Sequence, residues 1–301
     1  MVSYLPIADV NEYWTNKSVL ITGSEGFVGS HLCRYLVKVG AKVVGLDRQN
    51  LGQSDLFELL DGDIADPDTI SKALDTCSPE IVFHLAAAGA SDPFLSEERA
   101  IRVNTIGTVN LLKAIQGNVK VVVARSPTEL DLNSPYAVSK AAGWGFSSMY
   151  ARTKSWPVVG AMIYQCYGPG QSSKNVLPAA LNSLIKGVKL PLSPGEQVRD
   201  WVFVDDVVSG LISAAQSELE PAMTVDIGTG IGTQLREVVE TLYQLTGCNM
   251  RPSFGELPYR NGENMSVMGD AERTDALIGW RATTTLEEGL SILIDPETGN
   301  L

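Results

Sequence analysis

Apolar and polar positions come in short alternating blocks along the first half of the chain. The run Ser18-Val19-Leu20-Ile21 predicts a strand. A glycine-rich turn follows. Then Val28, Leu32, Leu36 and Val39 recur at i, i+4, i+8 and i+11, which predicts a helix over Phe27 to Val39. Val43-Val44-Gly45-Leu46 predicts a second strand, ending at Asp47. Gln49 to Leu60 is polar and poorly periodic, so a loop or short helix is expected, and Gly62-Asp63-Ile64 reads as a short third strand. Asp66-Pro67 opens a helix to about Cys77, with proline in its first turn. Ile81 to Ala86 is continuously apolar, as in a strand buried on both faces. Glu97 to Gln116 predicts one long helix, and Val119 to Ala124 a fifth strand. Ser134-Pro135 opens a helix through Met149, and Val158 to Ile163 is a sixth strand. Residues 1–16 predict a surface segment or short helix.

Strands that alternate with helices imply an α/β fold, a Rossmann-like doubly wound parallel sheet. Past Gly168-Pro169-Gly170 the regularity fades. The expected division is a dinucleotide-binding domain over 1–165 and a smaller mixed substrate-binding region over 166–301, with about 201–228 returning to the first domain. A ligand cleft is expected at the carboxyl ends of the strands.

The turn Thr22-Gly23-Ser24-Glu25-Gly26-Phe27-Val28-Gly29 sits between the first strand and first helix. That is where a dinucleotide fold needs glycines: one for the tight turn, one for approach of the pyrophosphate and one for helix packing. The helix N-terminus adds unpaired N–H groups and a positive dipole end. Asp47 lies 18 residues past Gly29 (47 − 29 = 18), near the ~20-residue offset of a carboxylate that takes ribose hydroxyls. A carboxylate there favours NAD over NADP, although Arg48 beside it could meet a 2′-phosphate.

Composition narrows the function classes. The 301 residues carry a formal net charge of −12, which argues against binding nucleic acid through its phosphates. Cys33, Cys77, Cys166 and Cys248 have no metal-like spacing, and His31 and His84 are the only histidines, so no metal site is expected. No apolar run approaches ~18 residues and Met1 to Trp14 lacks a signal core, so a cytoplasmic protein away from membranes is expected.

Tyr136 and Lys140 stand at i and i+4 on one helix face. An ammonium there favours the phenolate, so the phenol is expected to act as a base nearer neutral pH.

Together these motifs resemble the extended short-chain dehydrogenase/reductase family, in its NAD-dependent epimerase/dehydratase branch acting on nucleotide sugars. Thr22 to Gly29 resembles its cofactor loop, Asp63-Ile64 its adenine-contacting pair, and His84-Leu85-Ala86-Ala87 the segment on the nicotinamide side. Asn104 opens a match to an Asn-x-x-Gly-Thr helix. Ser134 to Lys140 matches the catalytic helix, and Tyr167 to Gln171 the signature after the sixth strand. Arg199 to Val207 and Arg260-Asn261-Gly262-Glu263 resemble segments that bring arginines to the nucleotide diphosphate. The resemblance implies NAD as cofactor, a nucleotide-diphosphate sugar as substrate and a homodimer, with Trp144 and Phe146 either in the core or on its helix face. Ala88 and Gln165 are expected near the sugar.

Two departures stand out. The family's hydroxyl-bearing catalytic position falls on Pro127 without gaps, so Ser126 or Thr128 must serve, Ser126 being nearer the strand end. The family's Asn two residues before Tyr167 is Gln165. A nucleotide-sugar 4-epimerase is the first expectation. A 4-ketoreductase making a deoxysugar is the second, and a cofactor-binding scaffold that has lost catalysis is the third.

Overall fold

In the computed structural model, which describes residues 12–48, 56–90, 92, 94–115, 117 and 119–295, β1 (Ser18–Thr22) runs parallel to β2 (Lys42–Asp47) on one side and β4 (Ile81–His84) on the other. Outside β2 lies β3 (Glu58–Asp61). Beyond β4 come β5 (Lys120–Arg125), β6 (Val158–Ile163) and β9 (Thr224–Ile227), giving seven strands in the order β3-β2-β1-β4-β5-β6-β9. The helices α1 (Phe27–Lys38), α2 (Pro67–Cys77) and α5 (Pro135–Lys154) return the chain between strands. This is the doubly wound sheet that the alternation predicts. Its strand order reverses between β1 and β4, so Thr22 and His84 end side by side at the switch point.

Three local expectations change. The third strand is Glu58–Asp61, not Gly62-Asp63-Ile64. An edge strand pairs on one side only, so it can stay polar, and its burial pattern is weak. Asp63 instead makes a turn, its carboxylate accepting the Ala65 N–H at 2.9 Å. The polar stretch from Gln49 thus ends in a strand, and its residues 49–55 lie outside the described residues. The single helix expected over Glu97 to Gln116 is three pieces: α3 (Glu97–Ala100), a π-helical segment Ile101–Gly107, and α4 (Thr108–Ile115).

The remaining elements are β7 (Gln165–Tyr167), α6 (Val176–Lys186), β8 (Val198–Phe203), α7 (Val204–Gln216), β10 (Gly232–Gln234), α8 (Leu235–Leu245), β11 (Ser266–Val267), α9 (Ala271–Ile278) and α10 (Leu286–Ile294). β8 centres a small mixed sheet, parallel to β7 and β11 and antiparallel to β10. The chain forms two compact units. The first comprises Met1–Met162, Val208–Val225 and Thr274–Trp280, and the second Ile163–Val207, Asp226–Arg273 and Arg281–Leu301. The return expected at residue 201 therefore begins at Val208, because Trp201–Phe203 is committed to the small sheet. A second return, Thr274–Trp280, is fastened by the Trp280 indole N–H donating to Ser209 Oγ at 2.8 Å.

Among the described residues no helix is long and apolar enough to cross a membrane, and no three His, Cys, Asp or Glu side chains form a metal-binding group.

Within the second unit Asp200 is fully buried. Its Oδ1 accepts from Thr229 N and Thr229 Oγ1, each at 2.7 Å. Its Oδ2 accepts from Gly230 N at 2.9 Å and Gly269 N at 3.1 Å. One carboxylate thus fixes the chain near residues 229 and 269 against β8. Asp200→Ala strands three buried N–H donors and is expected to cost roughly 3 kcal/mol or more. Urea unfolding of the variant checks this, and a loss under 1 kcal/mol would show that the two loops hold without it.

Candidate active site

The glycine turn packs as tightly as its composition suggests. Gly23 has φ +76°, and a Cβ there would lie 2.8 Å from the Ala86 nitrogen. A Cβ on Gly29 would lie 2.0 Å from the Gly23 carbonyl oxygen, so α1 can rest directly on the turn only without a side chain there. Gly26 caps α1 in an extended conformation and no side chain bonds the helix N-terminus. The first-turn N–H groups of Phe27, Val28 and Gly29 therefore have no partner within the helix. Beside them Asp47, at the tip of β2, accepts from Glu25 N at 3.0 Å and Arg48 N at 2.7 Å. A side-chain-free turn, an uncapped helix end and an adjacent carboxylate fit the pyrophosphate and ribose of a dinucleotide.

Several residues expected at the cofactor act differently. The Ser24 side chain is buried without a hydrogen-bond partner, and a Cβ on Gly45 would lie 2.6 Å from its Oγ. It points into the sheet, so only its main chain is offered. Asp63 pairs with Arg102 at 2.8 Å. Ile64 is buried, its side chain against Gly107. Arg48, Asp63, Arg99 and Arg102 line a cavity of about 330 Å³. Leu85 and Ala86 follow β4 half-buried, and Ala87 is exposed. Ala88, expected near the sugar, belongs to the core and is clamped by Asn104. Asn104 Oδ1 accepts from Ala88 N at 2.7 Å, and its Nδ2 donates to Ala88 O at 3.0 Å and Ser139 Oγ at 2.9 Å. Its carboxamide is thus spent on the protein, as a brace rather than a free cofactor contact.

The π-helical segment makes that brace possible. Its geometry displaces the Asn104 carbonyl, which accepts the Thr108 hydroxyl at 2.8 Å. Thr108 Oγ1 then has a lone pair for His84 Nε2 at 2.8 Å, and His84 Nδ1 lies 2.8 Å from Thr22 Oγ1. One set of roles satisfies all four groups: Thr22 donates to Nδ1, Nε2–H donates to Thr108, and Thr108 donates to the Asn104 carbonyl. His84 is buried, and burial, reinforced by the Lys140 charge, pushes its pKa down to about 3. It is a neutral structural link, not a base.

β5 and α5 carry the side chains expected to be catalytic. The Ser134 side chain caps α5, accepting from Ala137 N at 3.2 Å, and Pro135 stands in the first turn. Tyr136 follows, half-buried against the core. Lys140, one turn on, is buried and donates from Nζ to the Ala124 carbonyl at 2.5 Å. At the end of β5 the chain turns through a 3-10 segment, Pro127–Leu130. The Ser126 side chain lies beside Tyr136, and its Oγ lies 2.9 Å from Thr128 Oγ1. Thr128 thus stands behind Ser126. The net shift is upward, opposite to the one expected from Lys140: burial, then the Glu129 carboxylate, push the Tyr136 phenol up to about 12, with Ser126 opposing. Burial lowers the Lys140 pKa. Glu129 is buried behind Ser126 with Arg125 half-buried beside it, and the Ser-x-x-Glu spacing of a capping box is the sequence signal for Glu129.

In the second unit, Gln165 opens β7 half-buried. Arg199 on β8 pairs with Glu263 and donates to Val198 O at 2.8 Å, while Arg260 is exposed on the same turn, its carbonyl accepting Glu263 N at 3.0 Å. The two arginine-bearing segments are thus joined through Glu263. Trp144 packs inward over Arg125, whereas Phe146 is exposed.

Comparison with known proteins agrees with this geometry. The model of the NAD dependent epimerase/dehydratase family matches residues 19–228. UDP-glucose 4-epimerase of Mycolicibacterium smegmatis is 30% identical, with 92% of this chain and 97% of that protein covered. A solved epimerase from Methanothermobacter thermautotrophicus superposes with a TM-score of 0.88 at 26% identity, covering 95% of this chain and 93% of that one. UDP-glucose 4-epimerase of Thermotoga maritima, solved with UDP-glucose, gives 0.85 at 25% identity, covering 92% and 97%.

The buried His84 sets a pH dependence. The unfolded chain takes up a proton near pH 6.5, which the folded chain refuses until about pH 3. Its folded pKa is depressed, so the stability it allows is complete above pH 6.5 and is lost as pH falls from 6.5 towards 3. The loss is on the order of 4 kcal/mol over that window. His84→Gln should be less stable at pH 8 yet lose less between pH 6.5 and 4. Urea midpoints at several pH values test this; parallel curves for both proteins would mean that His84 does not carry the effect.

Proposed function

We propose that this chain, which belongs to the NAD dependent epimerase/dehydratase family, is a nucleotide-sugar 4-epimerase. It is an NAD-dependent enzyme of the extended short-chain dehydrogenase/reductase type. The observation that carries the proposal is the grouping at the end of β5: Ser126 beside Tyr136, with Lys140 one helical turn on and tied to the Ala124 carbonyl. The Mycolicibacterium relative, named for this reaction, supports it.

In this reading Tyr136 takes the proton of the C4 hydroxyl while Ser126 donates to the same oxygen. Bound NAD supplies the acceptor for the C4 hydride and the donor that returns it to the opposite face. Gly23 to Gly29 would hold its pyrophosphate, Asp47 its adenine ribose and Lys140 the ribose beside the nicotinamide. After the keto sugar turns over, Tyr136 returns the proton. Arg199 and Arg260 suit the diphosphate of the substrate through paired hydrogen bonds.

Glu129 argues against dehydration, which needs a carboxylate free to remove a proton from carbon. Its Oε1 accepts from Ser126 N and its Oε2 from Arg125 Nε, both at 2.9 Å.

A homodimer belongs to the same proposal. Val138, Phe146 and Met149 are exposed along one face of α5, and a Cβ on Gly145 would meet nothing within 4 Å. Ile101 and Ile106 are exposed on the π-helical segment. Apolar side chains on neighbouring helical faces suit a second copy of the chain.

Two expected outcomes follow from these assignments. Tyr136→Phe keeps the fold and cofactor binding but loses turnover on a panel of nucleotide sugars. Ser126→Ala slows it on the order of a hundredfold or more, the rate equivalent of roughly 2–4 kcal/mol for one lost transition-state donor, while Thr128→Val is milder. A slow Thr128→Val beside an unaffected Ser126→Ala would move the hydroxyl role two residues along. For the dimer, Phe146→Glu should halve the mass seen by light scattering; an unchanged mass would remove α5 from the interface.

A further inference from the structure

Behind Ser126 lies an ion pair that the reaction above does not use. Arg125 Nε meets Glu129 Oε2 at 2.9 Å, with 12% and 1% of the side-chain surfaces exposed. Both partners are committed further. Glu129 Oε1 accepts the Ser126 N–H at 2.9 Å. Arg125 Nη1 donates to Thr224 Oγ1 at 3.0 Å, and its guanidinium lies 4.5 Å from the Trp144 ring. Gly160 on β6 makes the room: a Cβ there would lie 2.8 Å from Arg125 Cδ, 2.6 Å from Thr224 Oγ1 and 3.0 Å from Trp144. Residues of β5, β6, α5 and β9 thus surround one arginine.

Stability alone gives no reason for such a pair. Desolvating two charges offsets most of their attraction, and apolar residues of equal volume often stabilise as well or better. What apolar residues could not do is hold the Ser126 N–H and keep opposite charges next to the reactive phenol and ammonium. We propose that Arg125 and Glu129 are a positioning pair for the reaction: Glu129 holds the Ser126 main chain so that its hydroxyl meets Tyr136, and the two opposite charges balance beside Tyr136 and Lys140. This rests on the roles given above to Tyr136 and Ser126.

The groups around the pair fix the expected signs. Tyr136 and Lys140 face it from α5, and His84 on β4, neutral, stands beyond Lys140. The Glu129 carboxylate raises the pKa of both Tyr136 and Lys140, and the Arg125 guanidinium lowers that of Lys140. By the same Coulombic rule Arg125 favours the phenolate. Removing one partner at a time must therefore move Tyr136 in opposite directions. A pair that served only to hold the turn would not do this.

The test needs no substrate. Protein labelled with ¹³C at tyrosine Cζ is titrated by NMR, with the Tyr136 signal assigned from Tyr136→Phe. Glu129→Gln keeps an acceptor for the Ser126 N–H but removes the charge, and the Tyr136 midpoint should fall by about one pH unit. Arg125→Gln should raise it. Because that variant leaves a buried carboxylate unpaired and can fail to fold, Arg125→Gln/Glu129→Gln gives a second reading, and its midpoint should lie above that of Glu129→Gln alone. An unchanged midpoint in Glu129→Gln, or a double variant that does not rise above it, would overturn the proposal. If the midpoints move as stated but the wild-type protein turns over no nucleotide sugar, the proposed function fails and the pair's effect on Tyr136 stands.

Discussion

The Asn104 carboxamide is where the first unit's architecture and chemistry meet. It bonds both main-chain groups of Ala88, which follows β4, and the hydroxyl of Ser139 on α5. Asn104 sits within the π-helical segment that separates α3 from α4. That segment frees the Asn104 carbonyl, which Thr108 satisfies, which in turn fixes the donor role of His84 and so the end of β1 at Thr22. A buried polar chain of this kind must be complete, because each unpaired member carries the full cost of desolvation. The glycine turn after β1, the segment after β4 and helix α5 therefore share one rigid reference.

Much of this was legible in the sequence. Strand, glycine turn, helix and Asp47 announce a doubly wound sheet, and its strand order follows from short right-handed connections. What stayed hidden has physical causes. The third strand is an edge, so its residues need not be apolar, and the pattern slid three residues along to Gly62-Asp63-Ile64. The π-helical segment leaves the apolar periodicity of Glu97 to Gln116 nearly unchanged, since it answers one side chain rather than a hydrophobic face. Trp201 looked like the start of a return to the main sheet because its apolar run continues into α7, yet its strand half pairs with β7, β10 and β11. The part played by Asn104 stays hidden for a simple reason: a motif names the residue but not where its hydrogen bonds are spent.

The Tyr136 phenol holds its proton more tightly than the Lys140 spacing alone implies. Spacing put an ammonium four residues from a phenol and implied a phenol that ionises easily. The structure adds two facts that spacing does not contain. Burial penalises every charge, and Glu129 stands on the other side of Tyr136. Lys140 is itself held in place by donating to the Ala124 carbonyl.

A high proton affinity at Tyr136 is no obstacle to the proposed reaction, because epimerisation asks the phenol to work both ways. In the first half it must accept the proton of a ring hydroxyl, itself a very weak acid. In the second it must give a proton to the oxygen of a ketone as that carbon regains hydride. A strongly acidic phenol would serve the second half but not the first, since its phenolate would be too weak a base. A phenol held protonated beside Ser126 needs a push to ionise, and an oxidised nicotinamide, when bound, would supply positive charge for it, whereas the reduced form would not. Coupling proton affinity to the charge of the cofactor lets one residue serve both directions.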